Sequence, residues 1–443
     1  MTELINKIQA AGVVGAGGAG FPTAVKLRGT PEYLIVNGVE CEPLIQVDQR
    51  LTARYAPLLL ETLDYLAERL GARQGIFALK EKYTKALEAL NQGISGYPRL
   101  CIKTLPNAYP MGDEQVLVYE TIGRIVPEGG IPLKVGAMVV NVESLFNIRL
   151  ALKGIPVTEK HITVTGAVRS PKTFKVPLGI PMRSLIEAAG GATVTDPVLI
   201  DGGPMMGKVQ RNLDAPVIKT SKAIIVLNRD HPLIVSKEKS MERMMKLAQS
   251  ACCHCMLCSE LCPRQLLGHK LFPDKLMRLA SYCSTCEKDA AATAAYLCCE
   301  CRLCEYACIM QLQPWKLNRE LKAGLGKAGI PNPHRNAPEK ARQFRDYRRY
   351  PMEKLVRQLG LSGFYHREAP FAEFPENIKN VTLPFRQHTG VPAVPIVAAG
   401  GLVHKGDAVA VPPGDALGAC IHASIDGIIR TVDESAVVIE SRK

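Results

Sequence analysis

The chain has 443 residues, 47% hydrophobic and 22% charged, a globular composition too long for one hydrophobic core, so two to four domains are expected. No run approaches the roughly 18 consecutive apolar residues of a membrane span, and the N-terminal MTELINKIQAAGVV has neither the basic start nor the apolar core of a secretory leader, so no membrane span and a cytoplasmic location are expected. The formal charge of +13 suits an anionic partner; no recognition motif points to nucleic acid, and negatively charged cofactors would offset part of it.

Residues 1–155 alternate short apolar runs (YLIVNGVE, GIFALK, GAMVVNVES) with helical stretches such as APLLLETLDYLAERLG, the pattern of an α/β layer that binds a nucleotide. Leu4, Ile5 and Ile8 share one face of a helix, read as the first helix of this domain, with a targeting role as the other reading. Gly15, Gly17 and Gly20 spell G-x-G-x-x-G, with Glu40 and Glu42 at the distance of a ribose contact. A Rossmann loop should follow a strand directly, yet only Val13 and Val14 separate this one from the helix. The loop is therefore expected to cradle a phosphate in another way, with Lys26 as a point charge.

Residues 156–235 carry HITVTGAV, TFKVPLG, PVLIDGG and KAIIVLN between Gly and Pro, which predicts a small mixed domain with a short sheet and no catalytic group. Residues 236–330 are helical and cysteine-rich. Eight of the fifteen cysteines lie in Cys252-x2-Cys255-x2-Cys258-x3-Cys262-Pro263 and Cys298-x2-Cys301-x2-Cys304-x3-Cys308. Three thiols on a tight turn can reach three corners of a cubane while the fourth, three residues on, points to the neighbouring cluster. Two [4Fe-4S] clusters with crossed ligands are expected, Cys252, Cys255, Cys258 and Cys308 on one and Cys298, Cys301, Cys304 and Cys262 on the other. Zinc would more often use two separated CxxC pairs. Cys253, Cys299, Cys283 and Cys286 are read as unligated thiols, with alternative ligation as the other reading.

In residues 331–379, Arg335, Lys340, Arg342, Arg345, Arg348, Arg349, Lys354 and Arg357 face only Glu339, Asp346 and Glu353, which reads as a basic linker with a solvated face or as a docking surface. Residues 380–443 consist of short β-branched runs punctuated by Gly and Pro, a small all-β module expected to fold independently.

Four ordered motifs, GGAGFPTAVKL, VNGVECEP with Asp48, YPMGDEQVL and NVESLFNI, resemble the flavin and NADH site shared by the complex I flavoprotein subunit and the C subunit of Rnf-type oxidoreductases. The resemblance implies FMN held by Gly15, Gly17, Gly18, Gly20, Lys26, Asn37, Glu40, Gly112, Glu114, Asn141 and Glu143, with Phe21, Glu42 and Asp113 on the NADH side. HITVTGAV resembles the ubiquitin-like SLBB domain of that family. The implied fold class is multi-domain α/β and α+β: a Rossmann-like FMN/NADH domain, an SLBB domain, a helical ferredoxin-like double-cluster domain and a C-terminal barrel-sandwich module.

That last module is similar to the lipoyl-like sandwich that Rnf C subunits carry at the opposite end; it lacks a lipoyl lysine motif and is read as structural. The arrangement most resembles the cobalamin reductases of propanediol-utilisation microcompartments. This resemblance implies that electrons pass from NADH through FMN and the clusters to cobalamin, from cob(III)alamin to cob(II)alamin and on to cob(I)alamin. It also implies an adenosyltransferase and a shell protein as partners. A membrane-associated Rnf-type subunit exchanging electrons between NADH and ferredoxin is the alternative, and a shell adaptor with vestigial clusters a third. The chain has no D-x-H-x-x-G corrinoid motif, which leaves the cobalamin docking site open.

Overall fold

A computed structural model describes residues 1–282, 290–375 and 378–442, so Cys283 and Cys286 lie outside the described residues. The N-terminal unit is built on a parallel sheet in the order Leu100–Leu105, Gln74–Lys80, Tyr33–Gly38, Ala137–Asn141, with Tyr33 level with Gln74 on one side and Ala137 on the other. Successive residues of the central strand are apolar because both faces are covered. Leu34 and Val36 pack toward the helices Val47–Arg69 and Val142–Leu152, while Ile35 packs toward Glu114–Ile122. The long helix changes course at Tyr55, two residues before Pro57, which cannot donate the next helical hydrogen bond. The glycine loop precedes the first strand, closed by the Val14–Pro22 bridge and the Gly15 N–H on the Phe21 carbonyl (2.9 Å). Leu4 and Ile8 of the opening helix Thr2–Ala10 are buried in the same core.

The second unit is a six-stranded mixed sheet in the order Phe371–Glu373, Lys172–Pro177, Glu159–Gly166, Ala223–Asn228, Pro197–Asp201, Lys208–Gln210, with the helix Met182–Ala188 over its own apolar core. The cysteine-rich unit follows as short helices from Met241–Ala251 to Pro314–Lys327.

The basic stretch keeps a solvated face and is also fastened to other units. Tyr350–Pro351 pairs with Ala108–Tyr109 of the first unit, and Phe371–Glu373 forms the edge strand of the second unit's sheet. Arg345 and Arg349 bind Glu120 (2.5 and 3.2 Å), and Arg348 binds Glu260 (2.8 Å). Three of its arginines are drawn onto acids of two other units, so this part of the segment is a strap, while Arg335, Lys340, Arg342, Lys354 and Arg357 are exposed. The C-terminal module is two antiparallel sheets, Asn380–Pro384, Ala436–Ser441, Gly427–Val432 and Leu402–Val403 against Val394–Pro395, Ala408–Val411 and Ile421–His422. It packs on the glycine loop: Thr389 donates from its N–H to the Gly20 carbonyl (3.0 Å) and from its hydroxyl to the Ala19 carbonyl (2.6 Å). No helix among the described residues is long and apolar enough to cross a membrane.

Candidate flavin and iron-sulfur site

The glycine loop stands over the C-terminal ends of the parallel strands, where open α/β sheets receive ligands. Ser144 in the first turn of Val142–Leu152 accepts the Ala16 N–H (2.8 Å), and a Cβ on Gly17 would lie 3.6 Å from the Asn141 side chain. The N–H groups of Gly17, Gly18 and Ala19 have no protein acceptor among the described residues. Gly18 sits at φ +112 with open space where a Cβ would stand. Three unclaimed donors around an open cradle fit an anionic phosphate. Gly20 does something else: at φ +66, its Cβ would meet Thr220 of the second unit at 2.8 Å and the His388 Cα of the C-terminal module at 3.1 Å, so it is a close-packing point between the loop and both.

Around the cradle the implicated side chains hold one another. Lys26 donates to Glu114 and to the Val139 carbonyl (both 2.9 Å). Asn37 donates to the Gly112 carbonyl (3.0 Å) and accepts the Val39 N–H (3.2 Å). Asn141 caps its helix through the Glu143 N–H and donates to Asp48 (2.9 Å). Glu40, buried and at φ +39, accepts the Asp48 N–H through one oxygen (3.0 Å) and has no partner at the other. Burial, with the Asp48 charge beside it, pushes its pKa up to about 7. Phe21 is half-buried at the loop's end.

The second unit supplies side chains that sequence reasoning missed. Lys222 pairs with Asp48 (2.5 Å), and Lys160 pairs with fully buried Glu143, which also accepts the His161 N–H (2.8 Å). Burial opposes ionisation of Glu143, but Lys160 and His161 outweigh it and hold the carboxyl well below its ordinary value. Glu42 accepts the N–H groups of Met205 and Met206 (both 2.8 Å), and burial still pushes its pKa up. A Cβ on Gly203 would lie 2.1 Å from that carboxylate, so only glycine lets the second unit's loop close on it. Gly203, Met205 and Met206 belong to the segment GGPMMGKV, whose neighbour in space no local pattern reveals.

The two cysteine runs share one backbone. His254 and Met256 are left-handed (φ 54 and 65), as are Glu300 and Arg302 at the matching positions (φ 56 and 65). Such alternation turns successive N–H groups inward, a concavity for anionic sulfur. Cys262, Cys298, Cys301 and Cys304 border one small cavity with Asn318, Trp315 and Cys299. Burial raises the Cys262 thiol, and Cys299 and Cys298 beside it add to the effect. Burial likewise raises Cys308, which faces Cys255 and Cys252, and pushes Cys258 up to about 12. The fourth cysteine of each run thus stands among the first three of the other. Cys253 and Cys255 are exposed. No three His, Cys, Asp or Glu side chains among the described residues close on a single-ion site. Eight thiols in two like sets are a donor chemistry that fits two iron-sulfur clusters.

The set around Cys301 lies against the first unit. The Tyr109 hydroxyl donates to the Cys301 carbonyl (2.8 Å), and buried Arg264, two residues after Cys262, makes a two-pronged pair with Asp113 (2.7 and 3.0 Å). Asp113 also caps Glu114–Ile122, so both its oxygens are engaged within the protein.

Residues 8–150 match the family model described as the Nuo51 FMN-binding domain, 161–209 the SLBB domain, 251–313 the 4Fe-4S dicluster domain and 367–443 the RnfC barrel sandwich hybrid domain. The chain is 34% identical over 262 residues (58% of this chain, 56% of the relative) to the C subunit of the Na(+)-translocating ferredoxin:NAD(+) oxidoreductase complex of Acetobacterium woodii. It is 41% identical to the cobalamin reductase PduS of Citrobacter freundii (98% of this chain, 95% of the relative). The PduS of Salmonella typhimurium is 42% identical over 441 residues, 99% of this chain and 96% of the relative. Carrying all four matched domains along that near-complete alignment, the chain belongs to the cobalamin reductase PduS family.

Proposed function

We propose that this chain is an NADH-dependent cobalamin reductase, working in the cytoplasm and within a microcompartment, beside an adenosyltransferase and a shell protein. The observation that carries the reading is the near-full-length identity to cobalamin reductases. Bound FMN accepts a hydride's two electrons and releases them singly, and clusters conduct single electrons, the conversion that a nicotinamide donor and a one-electron cobalt acceptor require.

The chain's own residues have these roles. The free N–H groups of Gly17, Gly18 and Ala19, with Lys26, receive the flavin phosphate. Glu40, Asn37, Gly112, Glu114, Asn141 and Glu143 shape the flavin pocket. Phe21, Glu42 and Asp113 border the nicotinamide; the engagement of Glu42 and Asp113 inside the protein makes them organisers of that wall. Cys262, Cys298, Cys301 and Cys304 hold the inner cluster, and Cys252, Cys255, Cys258 and Cys308 the outer one. Domain limits at 155, 235, 330 and 379 belong to the same reading.

The test is anaerobic reduction of hydroxocobalamin by NADH with flavin- and iron-replete protein. Cys255→Ala with Cys301→Ala should keep NADH-dependent flavin bleaching and lose most delivery to cobalamin; delivery at the parent rate would overturn the route. Co-purification with an adenosyltransferase and a shell protein, rather than with membrane proteins, separates this reading from the Rnf-type one, whose relative aligns with little more than half of this chain.

A further inference from the structure

A cleft of about 880 Å³ belongs to neither the flavin pocket nor the inner thiol cavity. It opens between the cysteine-rich unit and the strap, and Cys308 of the outer set lies in its wall. That volume is at the upper end of the roughly 300–1,000 Å³ of sites for drug-sized ligands, room for one face of a larger one. Tyr306, Tyr347 and Tyr350 give it flat apolar surface; its wall also holds Lys354, Arg348 (paired with Glu260), Arg349 (paired with Glu120) and Glu305 (engaged by Arg302 and Trp315), so its uncommitted charge is that of Lys354. Tyr347 is 86% exposed, an aromatic ring held out at the rim where folding gains nothing from it. Lys354 lies 5.0 Å over the Tyr350 ring and has no carboxylate partner among the described residues.

The geometry points to this cleft as the place where the corrinoid docks. The inference rests on the reductase reading above and locates its acceptor. A cobalamin offers a broad macrocycle for the tyrosines, amide arms for hydrogen bonds and one phosphodiester for Lys354, the polarity of this wall. Its position is also the one required: the inner set abuts the flavin unit, the outer set reaches the surface at Cys255, and Cys308 of that set lines the cleft. The reaction balances as NADH and two Co(III) giving NAD⁺, H⁺ and two Co(II), each cobalt taking one electron.

The variants Tyr347→Ala and Lys354→Glu remove an exposed ring and reverse an unpaired charge. In oxidised holoprotein without NADH, equilibrium binding of hydroxocobalamin should weaken about 5- to 10-fold for each. In turnover its KM should rise in proportion, while NADH-dependent bleaching of the flavin is unchanged. Unaltered binding and KM in both variants, with a parent that reduces hydroxocobalamin, would overturn the docking site alone. A parent that neither binds nor reduces it would overturn the reductase reading and the site together. Loss of delivery to a small acidic electron-transfer protein, with cobalamin kinetics intact, would make the cleft a protein dock and overturn the proposal.

Discussion

Two buried glutamates in the N-terminal unit respond to pH in opposite directions. Glu143 is held ionised by Lys160 and His161, so its contribution to stability is complete above the ordinary glutamate pKa of 4.5 and is lost as pH falls below it. Glu143→Gln leaves Lys160 buried without a counter-charge, a loss of about 3–5 kcal/mol. Chemical denaturation of flavin-free protein should show that deficit near neutral pH and a narrowing gap from about pH 5 downward. Glu40 is the reverse case, with its pKa raised from 4.5 to about 7. The folded state holds its proton more tightly, so parent stability declines as pH rises from 4.5 to about 7 and is level above that. Flavin-free Glu40→Gln should therefore gain stability relative to the parent between those limits; parallel denaturation midpoints at both ends would refute the burial argument.

At the scale of elements, the strap is fastened by the clamp of Arg345 and Arg349 on Glu120, in which Arg345 and Glu120 are almost fully buried. Arg345→Ala should cost about 3–5 kcal/mol by stranding Glu120, and limited proteolysis should then cut within residues 331–350 before any other site. Indifference to protease would mean that the Tyr350–Pro351 pairing alone holds the strap. The sequence reveals the cysteine runs because each ligand set's three neighbours are local, and the parallel sheet because its strands are continuous apolar runs. It reads the strap as a linker because an arginine's partner leaves no trace at short range: Arg345 and Glu120 are 225 positions apart. Lys222 and Asp48 are 174 apart, so the second unit looks chemically silent although it supplies buried cations to the flavin unit.

Taken whole, the molecule sets a flavin cradle, an inner thiol set, an outer thiol set and an open cleft in succession. Tyr109 on Cys301 and Arg264 on Asp113 fix the first junction, and burial of Cys304 beside both Cys298 and Cys258 brings the two sets together. Cys262→Ser should therefore change the EPR signal that Cys298→Ser changes, and Cys308→Ser the signal that Cys255→Ser changes, each variant keeping about four of eight irons in the other set. If Cys308→Ser altered the same signal as Cys298→Ser, the pairing between runs would be uncrossed.

The hold of Thr389 on Ala19 and Gly20, with Lys219 reaching both the Gly12 and Cys420 carbonyls (2.7 Å each), gathers distant segments around one loop. During synthesis the loop leaves the ribosome 370 positions ahead of the threonine that covers it. The loop is thus unbraced through most of translation and gains that hold only when the C-terminal module has emerged, so a chain stopped short of the module is expected to bind flavin more weakly. A premature stop before residue 380 is expected to leave every glycine of the loop in place without the Thr389 brace, and to lose flavin on gel filtration sooner than the full chain.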